Sequence, residues 1–289
     1  MHNLIESFPE EMKIDNNQVP KKMDDGGSKK PKKKMRFAKT TILVVLATGV
    51  FLGGVTLVKC GKNHISKIQE QKEIEALLKQ EAEAKNARLE RVANNKVAYL
   101  TFDDGPNANT EKVLDILKEN NIKATFFLVG DMVKNNPNIV KDIYDAGHTI
   151  GNHTMSHSYN YETEDEFISE VLEVDKLISE AIGEEYSSLF VRVPGGSMGK
   201  TVEQNAIANA GLRSINWTGL SGDSERGNTS SDYILKRLKE TVGDDKYEVV
   251  LMHDVKSVTV NNLQKIIDFI KEEGYIFEPL MEDSPVYFK

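Results

Sequence analysis

The stretch Val97-Ala98-Tyr99-Leu100-Thr101-Phe102-Asp103-Asp104-Gly105-Pro106 decides how this chain is read. An apolar run ends in two adjacent carboxylates followed by Gly-Pro. Side chains alternate across a strand, so a strand stopping here carries two acids into a loop with different orientations. One of them can bind a metal while the other handles a proton. By itself the motif is equally well an Asp-Gly turn with solvated acids. The rest of the chain supplies the partners that a site would need.

The first partner is Asn152-His153-Thr154-Met155-Ser156-His157. Two histidines at i and i+4 lie on one face of a helical turn, a spacing that suits one metal ion. The chain has six histidines, and His2 and His64 fall outside the region of strand patterning. His148, just after Gly147 at an expected helix end, reads as structural. The last, His253 in Leu251-Met252-His253-Asp254, ends the apolar run Val249–Met252. The C-terminal end of a strand is where α/β domains build their sites.

From Lys96 onward strand-like runs alternate with helical patterns. Strands are expected at Val97–Phe102, Ala124–Val129, Thr149–Gly151, Leu189–Val193, Ser214–Trp217, Glu248–Met252 and Ile276–Leu280. Helices are expected between them, near Glu111–Asn120, Asn138–Ala146, Glu164–Ile182, Val202–Ala210, Ser231–Val242 and Asn261–Glu273. Repeated βα units of this kind predict an α/β domain with a mostly parallel sheet, over residues 96–289.

With these motifs in view, the domain resembles the polysaccharide deacetylase (NodB-homology) family of carbohydrate esterases. Thr-Phe-Asp-Asp-Gly-Pro followed by His-Thr-x-x-His is a specific pair, and five motifs follow the family's order. The resemblance implies a distorted (β/α)₇ barrel with one divalent metal ion, zinc by default and otherwise cobalt, nickel or manganese. It implies removal of acetyl groups from N-acetylated glycans such as peptidoglycan or chitin-like oligomers, or of O-acetyl groups from xylan. Position by position, Asp103 resembles the catalytic base, and Asp104, His153 and His157 the metal ligands. Arg192, opening Arg192-Val193-Pro194-Gly195-Gly196, would hold Asp103 by a charged hydrogen bond. Leu251, with Pro194, Gly195 and Trp217, would border the substrate, and His253 would be the general acid.

The chemistry is coherent without the family. An acetamide is a poor electrophile with a poor leaving group. Three protein ligands leave positions open on a metal for water and a carbonyl oxygen. A carboxylate beside them takes the water's proton, and a cationic histidine protonates the departing nitrogen. Two histidines and a carboxylate also serve non-haem iron oxygenases, but the second Asp and the distal histidine suit hydrolysis better.

Two departures from the family pattern stand out. Gly195 replaces an aromatic residue, which removes a wall for a sugar ring. In Leu220-Ser221-Gly222-Asp223-Ser224, Leu220 and Ser224 replace an Asp and a Trp, while Asp223 keeps an acid able to charge and orient His253. Trp217, the single tryptophan, reads as core or as sugar platform. These changes keep open a non-catalytic glycan-binding protein on a decayed site, as well as an O-acetyl esterase.

Upstream, residues 1–39 form a polar, basic, disordered tail containing Lys29-Lys30-Pro31-Lys32-Lys33-Lys34. Residues 40–58 are uncharged and apolar, and as a helix would cross roughly 30 Å of hydrocarbon. Basic residues on their N-terminal side predict a single-pass bacterial membrane protein with a cytoplasmic N-terminus and an extracellular domain. Residues 59–95, rich in Glu, Lys, Ala and Gln, read as a helical stalk through which a homodimer is conceivable. The net charge is +6 over residues 1–95 and −14 over residues 96–289, so the domain itself is unsuited to nucleic acid. One cysteine, Cys60, excludes an intrachain disulfide.

Overall fold

The first strand, β1 (Lys96–Asp103), lies at the heart of a wholly parallel sheet in the computed structural model, which describes residues 60–225, 230–243 and 245–286. The other strands are β2 (Thr125–Leu128), β3 (Thr149–Asn152), β4 (Phe190–Val191), β5 (Arg213–Ser214), β6 (Gly219–Leu220), β7 (Tyr247–His253) and β8 (Tyr275–Phe277). Their order is β5-β4-β3-β2-β1-β7-β6, with β8 paired to the lower end of β1. Seven strands form the main path, but they are not the seven expected. The two-residue β6 is too short to leave a periodic signal, and it takes the place of the last expected strand, which becomes β8 off the path. The expected Ser214–Trp217 strand shrinks to β5.

Parallel strands need crossovers, and helices supply them. They are α2 (Ala108–Glu119), α3 (Gly130–Asn135), α4 (Pro137–Asp145), α5 (Glu164–Ile182), α6 (Thr201–Ala210), α7 (Ser231–Thr241) and α8 (Ser257–Glu272). Their starts are legible: Asn107 caps α2 through a reciprocal box with Thr110, and Thr163 caps α5 by accepting from Glu166 N–H. The short α3 was not expected from the sequence.

Alternation along β1 sorts two cores. Ala98, Leu100 and Phe102 join Phe126, Leu128, Ile150, Val250 and Met252 beneath the helices. Val97 and Tyr99 join Phe127, Phe190, Ile215, Val249 and Leu280 inside the curl of the sheet. Burying each such side chain contributes about 1.5–3 kcal/mol. The curl is visible in one contact. In a flat sheet β4 would lie three spacings of about 4.8 Å from β1, beyond the reach of one arginine. Yet Arg192, directly after β4, places Nη1 2.7 Å from Asp103 Oδ1 and 2.8 Å from Thr101 Oγ1.

The expected stalk region contains a helix, α1 (Cys60–Asn94). Its last turns belong to the domain: Val92 is buried, Arg88 pairs with Asp283, and Arg91 pairs with Glu278. The readings of residues 1–39 and 40–58 lie outside the described residues. Among the described residues no helix is long and apolar enough to cross a membrane.

Arg192 is fully buried and is the cation opposite Asp103. Removing one partner of such a pair strands the other charge, at a cost of about 3–5 kcal/mol. Arg192→Met is therefore expected to lower unfolding free energy by that amount. A urea titration will show it as a lower midpoint at unchanged slope.

Candidate metal and acid–base centre

Every sequence-predicted polar residue of the site lies at or just beyond the C-terminal end of a strand. Asp103 ends β1 and His253 ends β7, paired in register, and both lie on the inward face. His153 follows β3, Arg192 follows β4, and Asp223 follows β6. Asp104 would point to the helix side if β1 continued. Its φ of +74° turns the chain back instead.

Asp104 Oδ1 lies 3.2 Å from His157 Nε2 and 3.6 Å from His153 Nε2. Metal bonds of about 2.0–2.1 Å in a tetrahedral shell set ligand atoms about 3.4 Å apart, so these donors fit one divalent ion. Asp104 Oδ1 is also buried with no hydrogen-bond partner among the described residues. His153 Nδ1 donates to the Arg192 carbonyl at 2.7 Å, which fixes the ring and leaves Nε2 with a free lone pair. Burial lowers the His153 pKa, favouring the neutral form that ligation requires. Burial works against ionisation of Asp104, but the neighbouring His157, His253 and His153 outweigh it and lower its pKa.

The His-x-x-x-His pair is not on a helical turn, contrary to the sequence reading. Residues 153–160 form a loop, in which Thr154 and His157 have φ of +65° and +56°. Among the described residues four non-glycines have positive φ, and Asp104, Thr154 and His157 are three of them. Backbone strain of this kind persists only where the surroundings over-determine it. Here α5 does so. Glu170 accepts from the N–H groups of Met155 and Ser156, from Ser156 Oγ and from Tyr161 Oη. Asp175 accepts from Asn152 Nδ2, and Asn152 Oδ1 accepts from Thr154 N–H. Nothing in the sequence distinguishes Glu170 from the other acids of its helix.

Across the site, His253 Nδ1 donates to Asp223 Oδ1 at 2.8 Å, which leaves Nε2 as the nitrogen available to a substrate. Asp223 Oδ2 accepts from His253 N–H at 2.7 Å and from Thr259 Oγ1 at 2.6 Å. Thr259 had no sequence signal as a site residue. Burial disfavours the imidazolium, but Asp223, with Asp103 and Asp104 further off, raises its pKa to about 9. Beneath β1's end, Asp254 is fully buried against Thr110, and burial pushes its pKa up to about 7. A Cβ at Gly105 would sit 2.3 Å from its Oδ2, so only glycine lets the chain turn there.

The proposed substrate border is mixed. Leu251 is buried on the inward face beside Thr101. Pro194 is buried and its carbonyl accepts from Lys200 Nζ, while Gly195 is exposed with φ +74°. Trp217 is half-buried against the inner core, its Cη2 edge 3.2 Å from where Gly196 would carry a Cβ. His148 stands apart from all of these, accepting from Ala124 N–H at 3.0 Å, and burial lowers its pKa to about 4. A depression beside it, bordered by Glu111, Lys118 and Asp142, holds none of the site residues.

A family model described as polysaccharide deacetylase matches residues 90–215. A peptidoglycan-N-acetylglucosamine deacetylase of Bacillus cereus is 37% identical over 201 residues, covering 67% of this chain and 73% of the relative. The crystal structure of a Bacillus cereus polysaccharide deacetylase aligns with TM-score 0.60 at 37% identity, over 67% of this chain and 97% of that one. The catalytic domain of a peptidoglycan N-acetylglucosamine deacetylase from Eubacterium rectale aligns with TM-score 0.61 at 32% identity, over 67% and 92%.

The raised His253 pKa exceeds the ordinary value of about 6.5. The Asp223–His253 pair therefore stabilises the fold fully below about pH 6.5, and that contribution is lost as pH rises through about 9. In metal-free protein, NMR of the imidazole protons should show His253 charged at pH 7 and titrating near 9. Asp223→Asn should bring the midpoint down towards the ordinary histidine value, because burial is then opposed only by the more distant Asp103 and Asp104.

Proposed function

This chain belongs to the polysaccharide deacetylase family, and we propose that it hydrolyses the N-acetyl groups of a cell-wall glycan, with peptidoglycan the favoured substrate. The observation that carries this reading is the joint presence of an Asp104–His153–His157 donor set, an Arg192-held carboxylate and an Asp223-held histidine at one end of the sheet. The names of the relatives support the choice of glycan.

In this reading Asp104, His153 and His157 hold a divalent ion, zinc by default. When bound, such an ion lowers the pKa of a coordinated water and polarises a carbonyl oxygen. Asp103 accepts the proton of the attacking water. Arg192 occupies Asp103 Oδ1, and Oδ2 is left 3.7 Å from His153 Nε2, on the metal side. The Gly195 N–H makes no hydrogen bond among the described residues and is exposed, so it can meet negative charge developing on the carbonyl oxygen. His253, protonated and oriented by Asp223, gives its Nε2 proton to the departing nitrogen. Leu251 closes the inward side against the acetyl methyl. An amide needs this acid more than an ester does, and the raised His253 pKa keeps it charged at neutral pH. The apolar run at residues 40–58 serves as a membrane anchor in the same reading, keeping the domain near the wall.

Retention of the whole proton-transfer set speaks against a decayed, non-catalytic site, despite Gly195 and Leu220. The test is acetate release by the purified full chain from peptidoglycan and from N-acetylglucosamine oligomers. Release should require zinc, stop with chelator, and fall about 10²–10⁴-fold in Asp103→Asn. No release from either substrate by zinc-loaded protein would overturn the reading. Release that survives His253→Ala nearly intact would point to an O-acetyl ester instead.

A further inference from the structure

Gly195 offers the substrate no side chain, yet the space above it is filled. A Cβ built at Gly195 would lie 3.1 and 3.2 Å from Cε1 and Cδ1 of Tyr159, which comes from the loop after β3. The Cδ1–Cε1 edge of the Tyr159 ring therefore stands where a side chain at position 195 would begin.

The ring is held there from two further sides. It meets His157 edge to face, with centroids 5.2 Å apart and planes at 88°. Lys200 Nζ lies 5.6 Å from its centroid and also donates to Pro194 O at 2.5 Å, so the same ammonium spans the ring and the turn beneath it. Tyr159 is nonetheless 58% exposed. Among the described residues it is the sole exposed aromatic; the others are partly or wholly buried. A ring of this size left open to water, fixed in place and one ring contact from a metal-ligand histidine, is a binding surface rather than core.

We infer that Tyr159 is the stacking platform for a pyranose ring of the glycan, supplied by the His157 loop in place of a side chain at position 195. The inference rests on the glycan deacetylase reading above and names a specific subsite within it. One face of an N-acetylhexosamine presents axial C–H groups, which lie flat on an aromatic ring, while its hydroxyls and acetamide point outward. A sugar seated on Tyr159 lies beside His157 and so beside the acetamide carbon to be attacked. The absence of a Cβ at Gly195 leaves room for that ring edge.

The test is steady-state kinetics of the zinc-loaded full chain on N-acetylglucosamine tetramers, with the zinc content of each variant measured in parallel. Tyr159→Ala and Tyr159→Leu should each raise KM about tenfold or more, with kcat within about threefold and zinc content unchanged. Tyr159→Phe, which keeps the ring, should stay within about twofold of the unchanged chain. An unchanged KM in both ring-less variants would overturn the inference. So would loss of zinc, or a fall in kcat at constant KM, because Tyr159 would then serve only to hold His157. If the unchanged chain does not cleave the tetramer, the same variants are compared on peptidoglycan by the same criteria, and inactivity on both would sink the deacetylase reading itself, and the inference with it.

Discussion

The site depends on one buried cation. Arg192 lies in the interior of the curled sheet, and its guanidinium reaches Asp103, Thr101 and the carbonyls of Ile215 and Asn216. Its carbonyl, in turn, receives the Nδ1 proton of His153. A single residue thus orients the carboxylate that takes a proton and the imidazole that binds the metal. The face of Phe127 lies 4.2 Å from the guanidinium carbon, so the charge is sandwiched between ring and carboxylate instead of water. A guanidinium suits this place because it forms several hydrogen bonds in one plane while its flat faces stack. Buried charge of this kind contributes little net stability, but removing either partner is costly. Geometry at the strand ends is what the pair secures.

A second support comes from outside the sheet. The loop from His153 to Tyr161 adopts backbone conformations that L-residues resist, and α5 compensates with charged and amide hydrogen bonds. Asp175 acts through Asn152 at the start of the loop, and Glu170 gathers its middle. The helix is itself seated by Phe167, Val171, Val174 and Ile178. Apolar burial on one face of α5 thereby becomes precise placement of two metal ligands and of the exposed ring of Tyr159.

The two ends of the site carry opposite electrostatics from similar parts. His153 and His253 are both largely buried histidines near carboxylates. For His153 burial dominates, and the ring stays neutral as a ligand must. For His253 burial is outweighed by the hydrogen bond and charge of Asp223, with Asp103 and Asp104 behind it, and the ring holds its proton as an acid must. The difference lies in which atom meets the carboxylate. His153 turns Nδ1 to a carbonyl and has Asp103 and Asp104 only at 3.6–3.7 Å, across the space for the ion. His253 has Asp223 at 2.8 Å with no room for an ion between.

How much of this was legible in the chain follows from how local each feature is. The alternation of apolar runs with helical patterns specified a parallel α/β fold, because strand and helix periods and caps act over a few residues. The acids and histidines at strand ends marked the site for the same reason, and Asp223 was readable as the partner of His253. The sequence alone left open β6, whose two residues carry no period, and misread the loop at His153–His157 as helical. There the i,i+4 spacing was real, but left-handed residues held by α5 created the proximity. Glu170, Thr259 and Tyr159 were silent because their roles exist only across 14 residues or more, or across a turn that a missing side chain leaves open. The amino-acid sequence by itself determined the parallel α/β class, most of its strands and helices and the identity of the reactive groups. Only the tertiary structure decided their spacing, their protonation and what stands in for the absent side chain at 195, since these depend on burial and on contacts between distant segments.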